Sequence, residues 1–289
     1  MKPQPEVADV DFSALYDEHP EYVARRAAGS IEQAQVDIEV RLFKLPGLMR
    51  VWPPGRPLRR VLEIGCATGE LIAAVPVEKG GQRVGLDISA ANVAAAEARF
   101  PAVEFHCGDF RGAGLSGFDA VILSDVLEHV TDDAAFLRDA AQLGEIVLVN
   151  LPLEDNWLND RRAYGPDDVS GHLRRYSLAD GLALVDQAGL ELLAHTQVWI
   201  HETPADAARR ALRRERLGAA YSGRWPVRLA KQLAFATATA VPALGRRLFA
   251  SNLFAAARLR AEEAPGRPKL PHSPRGAAAA EQRPGGAIN

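Results

Sequence analysis

Glu63, Gly65 and Gly69 follow one another at the end of an apolar run, and Asp87 stands eighteen residues past the second glycine. Val61, Leu62 and Ile64 suit a buried strand, the glycines permit a tight turn and close approach to a ligand, and a helix starting there presents unpaired N–H groups. Such a turn can hold a nucleotide-like ligand. The dinucleotide fingerprint G-x-G-x-x-G is not met, because Ala67 and Glu70 occupy its second and third glycine positions. The turn offers no lysine for phosphate, and its two carboxylates, Glu63 and Glu70, suit a cationic amino group better than a pyrophosphate. Asp87, closing the next apolar run, is able to accept hydrogen bonds from both hydroxyls of a ribose. These residues point to an adenosine bearing an amino acid.

Further chemistry-bearing residues recur at the ends of apolar runs. Gly108-Asp109-Phe110 offers a carboxylate for an adenine amino group and a ring to lie against the base. Ser124-Asp125 and Glu128-His129 follow the next run. His129 and His172 are the candidate bases, each weighed against a packing or capping role. Cys66 reads as a small filler of the turn rather than a nucleophile, since nothing near it in sequence would lower its pKa. No metal site is expected, because no His, Cys or Asp group has ligand spacing.

The elements that must position these residues alternate. Strands are predicted at 61–65, 83–88, 103–107, 118–124, 145–151 and 190–200, and helices at 69–76, 90–99, 132–143 and 178–188. This pattern predicts an α/β fold with a doubly wound parallel sheet whose ligand lies beyond the C-terminal strand ends. Ahead of it, 12–48 reads as two helices that stop before Pro46-Gly47, with a Pro-rich linker from Trp52 to Pro57. Residues 1–10 read as a loose lead-in. The polar stretch 152–177 is long enough to be a functional loop, and its Arg161, Arg162, Arg174 and Arg175 are either solvated or grip an anionic acceptor.

Glu63-x-Gly65-x-x-x-Gly69, Val84-Gly85-Leu86-Asp87, Gly108-Asp109-Phe110, Phe118-Asp119-Ala120-Val121 and Asp125-Val126-Leu127-Glu128-His129-Val130 closely resemble the class I S-adenosylmethionine-dependent methyltransferases. The nearest likeness is to the small-molecule branch that includes ubiquinone-biosynthesis O-methyltransferases, over about 60–200 and the last strand. The resemblance implies a Rossmann-like seven-stranded sheet with a reversed last strand, N-terminal cap helices and a helical insertion before that strand. It implies S-adenosylmethionine as cofactor, with Asp87 on the ribose hydroxyls, Glu63, Gly65 and Gly69 shaping the methionine and ribose pocket, and Cys66 and Ala67 as further cofactor-binding residues. Asp109 and Phe110 would contact adenine and Ser124 would line the methionine side, with Ile88 and Asp125 as further cofactor-binding residues. Ala67 replaces the commoner middle glycine at the cost of a modest local adjustment. Gly171-His172-Leu173-Arg174-Arg175-Tyr176-Ser177 resembles a loop in which a histidine and an aromatic face the acceptor, which implicates His172 and Tyr176.

The expected domains are cap helices and linker at 1–57, the catalytic core at 58–203, a basic helical insertion at 204–248, the last core strand at 249–262 and a disordered Pro/Ala-rich tail at 263–289. Residues 204–247 carry ten basic against two acidic side chains, a net +8 in a chain of formal charge −3. That segment reads as a substrate lid, a peripheral membrane contact or a solvated helical pair. The expected partner is a small-molecule acceptor, with an anionic or lipid-linked one left open. Nucleic acid is not expected, since no Asn-Pro-Pro-Tyr-like motif follows the fourth strand. Two scattered cysteines, no apolar leader and no 20-residue apolar run give an expectation of a cytoplasmic protein. The competing readings are a nucleic-acid methyltransferase and a non-catalytic binding module.

Overall fold

The computed structural model describes residues 16–261, apart from 157, 158, 160, 161, 166, 167 and 169 and, within 218–249, all but 233, 237 and 241. The expected lead-in and tail, and most of the basic insertion, lie outside the described residues.

Strands β1 (Arg60–Ile64), β2 (Gln82–Asp87), β3 (Glu104–Cys107), β4 (Phe118–Ser124), β5 (Gly144–Leu153), β6 (Leu190–Val198) and β7 (Ser251–Leu259) form one sheet. Its order is β3-β2-β1-β4-β5-β7-β6. β1 to β5 pair in parallel, whereas β7 runs antiparallel between β5 and β6. The last strand is therefore the reversed one. The chain winds outward from β1 to β3, then returns to place β4 on the other side of β1. The crevice beyond the ends of β1 and β4 is thus the switch point where ligands bind in open α/β sheets.

Successive strand residues face opposite layers, which divides the core in two. Leu62, Ile64, Val121, Leu123 and Val149 meet Leu137 of α6 (Asp133–Ala141) and Leu184 of α7 (Leu178–Gln187). Val61, Ala120, Ile122 and Leu148 meet Ile72 of α4 (Glu70–Ala74) together with Phe43, Leu48 and Val51. The first β-α-β units are completed by α5 (Ala90–Arg99), capped by the Ser89 side chain on the Asn92 N–H.

The N-terminal helices correct one expectation. α1 (Pro20–Arg26) and α2 (Ile31–Glu39) are separate, but α2 does not end before Pro46-Gly47. It continues through a π-helical turn, Val40–Lys44, into α3 (Leu45–Val51). The Leu45 N–H bonds to the Val40 carbonyl, one residue further back than in an α-helix, so Pro46 enters in the first turn of α3, where its missing N–H costs little. Gly47 is there for contact: a Cβ on it would stand 2.4 Å from the Phe254 ring.

α8 (Pro204–Leu217), between β6 and β7, is the start of the basic insertion and most of its described residues. It docks on α2, with Arg209 Nη1 3.1 Å from Glu39 Oε2 and Arg213 Nη2 donating to Gln35 Oε1 at 2.9 Å. Among the described residues no helix is long and apolar enough to cross a membrane.

Candidate active site

The turn after β1 is built from left-handed backbone. Gly65 has φ +75° and Gly69 φ +83°, and an added Cβ would approach Val126 to 2.6 Å or the Phe105 ring to 2.8 Å. Both conformation and space therefore require glycine. Ala67, also left-handed at φ +45°, is exposed and has room for its methyl group. The adjustment expected there is this strained torsion.

Asp87 locks the turn to β2. Its Oδ2 accepts the Ala67 N–H at 2.8 Å and its Oδ1 the Ser89 N–H at 2.9 Å. Two backbone donors leave further lone pairs toward the cleft. Burial pushes the Asp87 carboxyl above its usual pKa, with the Ser89 and Ala67 N–H groups opposing. Glu63 is more extreme. Its side chain is buried, Oε2 has no hydrogen-bond partner among the described residues, and burial pushes its pKa to about 8 despite Lys44 nearby.

A cavity of about 430 Å³ opens from this turn. Glu63, Gly65, Cys66 and Ala67 line it, as do Asp87 and Ile88, Asp109 and Phe110, Ser124 and Asp125, and the two histidines, His129 and His172. Gly69 stands behind, supporting the turn, with its N–H on the Cys66 carbonyl at 2.9 Å. Ile88 is exposed and offers an apolar surface, while Phe110 is buried edge-on to Phe136. Asp109 caps its own short helical turn by accepting the Arg111 N–H at 2.9 Å. Ser124 Oγ accepts from Asn150 Nδ2 at 2.9 Å. Burial pushes the Cys66 thiol pKa up, in keeping with a filler.

The histidines meet at the far end. Their ring centroids are 4.8 Å apart, His129 Nδ1 lies 3.0 Å from the Gly171 carbonyl, and His172 Nδ1 lies 2.8 Å from Glu154 Oε2. Burial and then His172 lower the His129 pKa to about 4, so its imidazole is neutral. Glu154 also accepts from Arg162, at 2.7 Å. Burial acts to raise its pKa, but the His172 hydrogen bond and the Arg162 guanidinium hold it below the usual value.

Tyr176 is the residue the structure does not bring to the site. It is buried away from the cavity lining, and its hydroxyl donates to Asp133 Oδ2 at 2.6 Å and lies 3.1 Å from the Leu127 carbonyl. The loop arginines are likewise committed to the protein. Arg162 grips Asp168 at 2.6 and 2.9 Å, Arg174 pairs with Asp133 at 2.6 Å, and Arg175 with Asp155 at 3.2 Å. Arg161 lies outside the described residues.

Three contributors were not read as site residues. Lys44, from the π-helical turn, reaches Asp125 Oδ2 at 2.7 Å and Glu39 Oε1 at 3.5 Å. Burial disfavours its charge, yet Asp125 and Glu39 outweigh that and raise its pKa. Glu128 lies in the cavity wall with both carboxylate oxygens buried, and Glu154 sits behind His172. Only the Pro-Gly inside a helical pattern hinted at the bulge that carries Lys44. The segment ahead of α2 closes the cavity: Arg26 donates to Asn92 Oδ1 at 3.0 Å, and the Tyr16 ring packs edge-on to His129.

The sequence profile of a methyltransferase domain matches residues 36–195, from α2 into β6. Among curated proteins, the ubiquinone biosynthesis O-methyltransferase of a Bradyrhizobium species is 39% identical over 106 residues, which is 34% of this chain and 41% of that protein. The chain thus spans about two fifths of that relative. Among solved structures, magnesium protoporphyrin IX methyltransferase from Synechocystis superposes with a TM-score of 0.53 at 14% identity, covering 86% of this chain and 98% of that one. A [4+2]-cyclase does so with a TM-score of 0.53 at 18% identity, covering 86% and 95%. Likeness at this level shows the fold, and the cyclase shows that the fold admits other chemistry. With the profile covering more than half of the sequence and the glycine turn, Asp87 and the reversed last strand in place, the chain belongs to the class I S-adenosylmethionine-dependent methyltransferase family.

Proposed function

We propose that this protein transfers a methyl group from S-adenosylmethionine to an oxygen of a small-molecule acceptor. One observation carries the reading: a single cavity joins a donor seat, Glu63 and Asp87 on the glycine turn, to a histidine face at its other end. The residues present fit the donor. The unpartnered Oε2 of the buried Glu63 side chain can receive a cation such as the amino group of a methionine, and Asp87 is already aimed by two N–H groups for a ribose diol. Ile88, Asp109 and Phe110 line the part of the cavity that would take adenine, where Asp109 would accept from its amino group.

S-adenosylmethionine supplies a methyl group on a sulfonium, so the chain's task is alignment of an acceptor and, for a hydroxyl, removal of its proton. Gly65, Ser124 and Asp125 set the position of the donor. Tyr16 and the histidine face enclose the acceptor and exclude water. His172, held by Glu154, and neutral His129 orient the acceptor oxygen and bring about loss of its proton. A histidine pair at the acceptor end suits a hydroxyl that must lose its proton, which favours an oxygen acceptor on a sugar, a phenol or quinone precursor, or a lipid-linked precursor. Because the described loop arginines are engaged by carboxylates, an anionic acceptor would take its cationic contacts from elsewhere.

Calorimetry with S-adenosylmethionine, followed by mass-spectrometric detection of methylated products across these acceptor classes, tests the proposal. The expected result is saturable donor binding and a methylated hydroxyl compound. Absence of donor binding overturns it, and donor binding without product in any class favours a non-catalytic module.

A further inference from the structure

We propose that Glu128, His129 and His172 form a binding site for a divalent transition-metal ion at the acceptor end of the cavity. One candidate ligand atom of each residue lies within 4.8 Å of the others, and all three residues line the cavity. Glu128 and His129 belong to the 3-10 turn Leu127–His129 after β4, and His172 comes from the loop after β5. A backbone hydrogen bond from the Leu173 N–H to the Glu128 carbonyl, 2.8 Å, fixes that loop on the turn.

Two independent features turn this proximity into a site. First, Glu128 is 1% exposed and neither of its carboxylate oxygens has a hydrogen-bond partner among the described residues. Burying a carboxylate in this state is costly, and a bound cation removes the cost. Second, both histidines are held through Nδ1. Glu154 Oε2 and the Gly171 carbonyl act as acceptors, which assigns a proton to Nδ1 in each ring and leaves Nε2 as the candidate ligand atom. His129 Nε2 lies 3.8 Å from Glu128 Oε1. A histidine whose distal nitrogen is anchored by a carboxylate or a carbonyl is the arrangement found behind metal-ligating imidazoles. Arg162, bonded to both Glu154 and Asp168, holds that outer layer in place.

Two imidazoles and one carboxylate suit zinc, manganese, iron or cobalt, whereas magnesium and calcium prefer all-oxygen sites. Three protein ligands leave positions open toward the cavity. The use of the ion rests on the proposed methyl transfer; its binding does not. An acceptor hydroxyl bound to the ion would lose its proton to solvent more readily. The oxygen electron pair would then form the O–CH3 bond while the pair of the breaking C–S bond stays on sulfur.

The test uses the full-length, untagged chain stripped with a chelator and titrated with Zn²⁺, Mn²⁺, Co²⁺ and Mg²⁺, without donor or acceptor. The expected result is saturable binding of a single Zn²⁺ or Co²⁺ ion per chain, visible d–d bands for Co²⁺, and much weaker Mg²⁺ binding. His172→Ala and Glu128→Gln should each weaken binding more than about 10-fold, and Glu154→Gln by about 10- to 100-fold as an outer-layer change. His106→Gln, in the exposed pair with Glu104, should leave it unchanged. Circular dichroism and S-adenosylmethionine binding report whether each variant is folded. Absence of saturable binding by every transition ion, or binding unaltered in the folded His172→Ala protein, overturns the site. Loss of the methyltransferase reading would appear separately, as absent donor binding in the metal-free protein.

Discussion

Glu154 Oε2 stands 2.8 Å from His172 Nδ1, so a carboxylate at the end of β5 sets the orientation of a histidine across a loop of seventeen intervening residues. The same carboxylate is held by Arg162, which makes the ring's position a property of the whole loop. His172→Ala should therefore lower turnover by about 10²- to 10⁴-fold, the range for loss of a positioned acid or base. Affinity for S-adenosylmethionine should stay close to that of the parent, since the donor seat lies at the other end of the cavity. Steady-state kinetics alongside donor calorimetry makes the comparison, and full turnover in a folded variant would remove His172 from the reaction.

Asp87 is the corresponding control at the donor end. Asp87→Asn keeps the shape but loses the charge that strengthens bonds from the ribose hydroxyls, an effect of about 1.5–3 kcal/mol. The dissociation constant for the donor should rise about 10-fold or more, with turnover at saturating donor less affected. Calorimetry and kinetics at high donor concentration separate the two. Equal donor affinity in the two proteins would mean that Asp87 serves only the turn, through Ala67 and Ser89.

The sheet was legible because parallel strands buried on both faces leave mostly apolar runs, and the proposed donor seat was read from Gly65, Asp87 and Asp109, which stand at or just past the ends of theirs. The acceptor end was less so. Glu128, His129 and His172 have no metal-ligand spacing, and only the path of the 154–177 loop brings them together. The likeness of the Gly171-to-Ser177 segment to an acceptor-facing loop implicates Tyr176, yet its hydroxyl turns inward to Asp133. Pro46-Gly47 signals a helix end by local propensity. A π-helical turn and close contact with Phe254 override that signal, and the same turn delivers Lys44 to the cavity.

The Gly47 contact can be tested as a stability relationship. A Cβ at Gly47 would lie 2.4 Å from Phe254, whose ring is fully buried and packed edge-on to Phe43. Gly47→Ala should destabilise the fold by about 1–3 kcal/mol, the usual cost of overpacking, although alanine is the better helix former. Introduced together with Phe254→Leu, the same change should cost less than it does alone. Chemical denaturation of the two single variants and the double variant measures the coupling, and strict additivity would show that the ring is not the obstacle.

Glu63 links donor binding to pH. In the ligand-free protein its pKa is raised by burial to about 8, with Lys44 opposing, while its ordinary value is 4.5. The folded protein therefore holds a proton that the unfolded chain releases, so the Glu63 contribution to stability is complete below about 4.5 and is lost as pH rises through about 8. A cationic amino group beside Glu63 favours the ionised carboxylate, so donor binding below pH of about 8 should expel a proton. Measured in buffers of different ionisation enthalpy, the binding heat of the parent should change with buffer, and affinity should climb as pH approaches that value. Glu63→Gln should abolish its share of this proton release and flatten the fall in stability over the same window. An unchanged proton count in the variant would show that the amino group lies elsewhere.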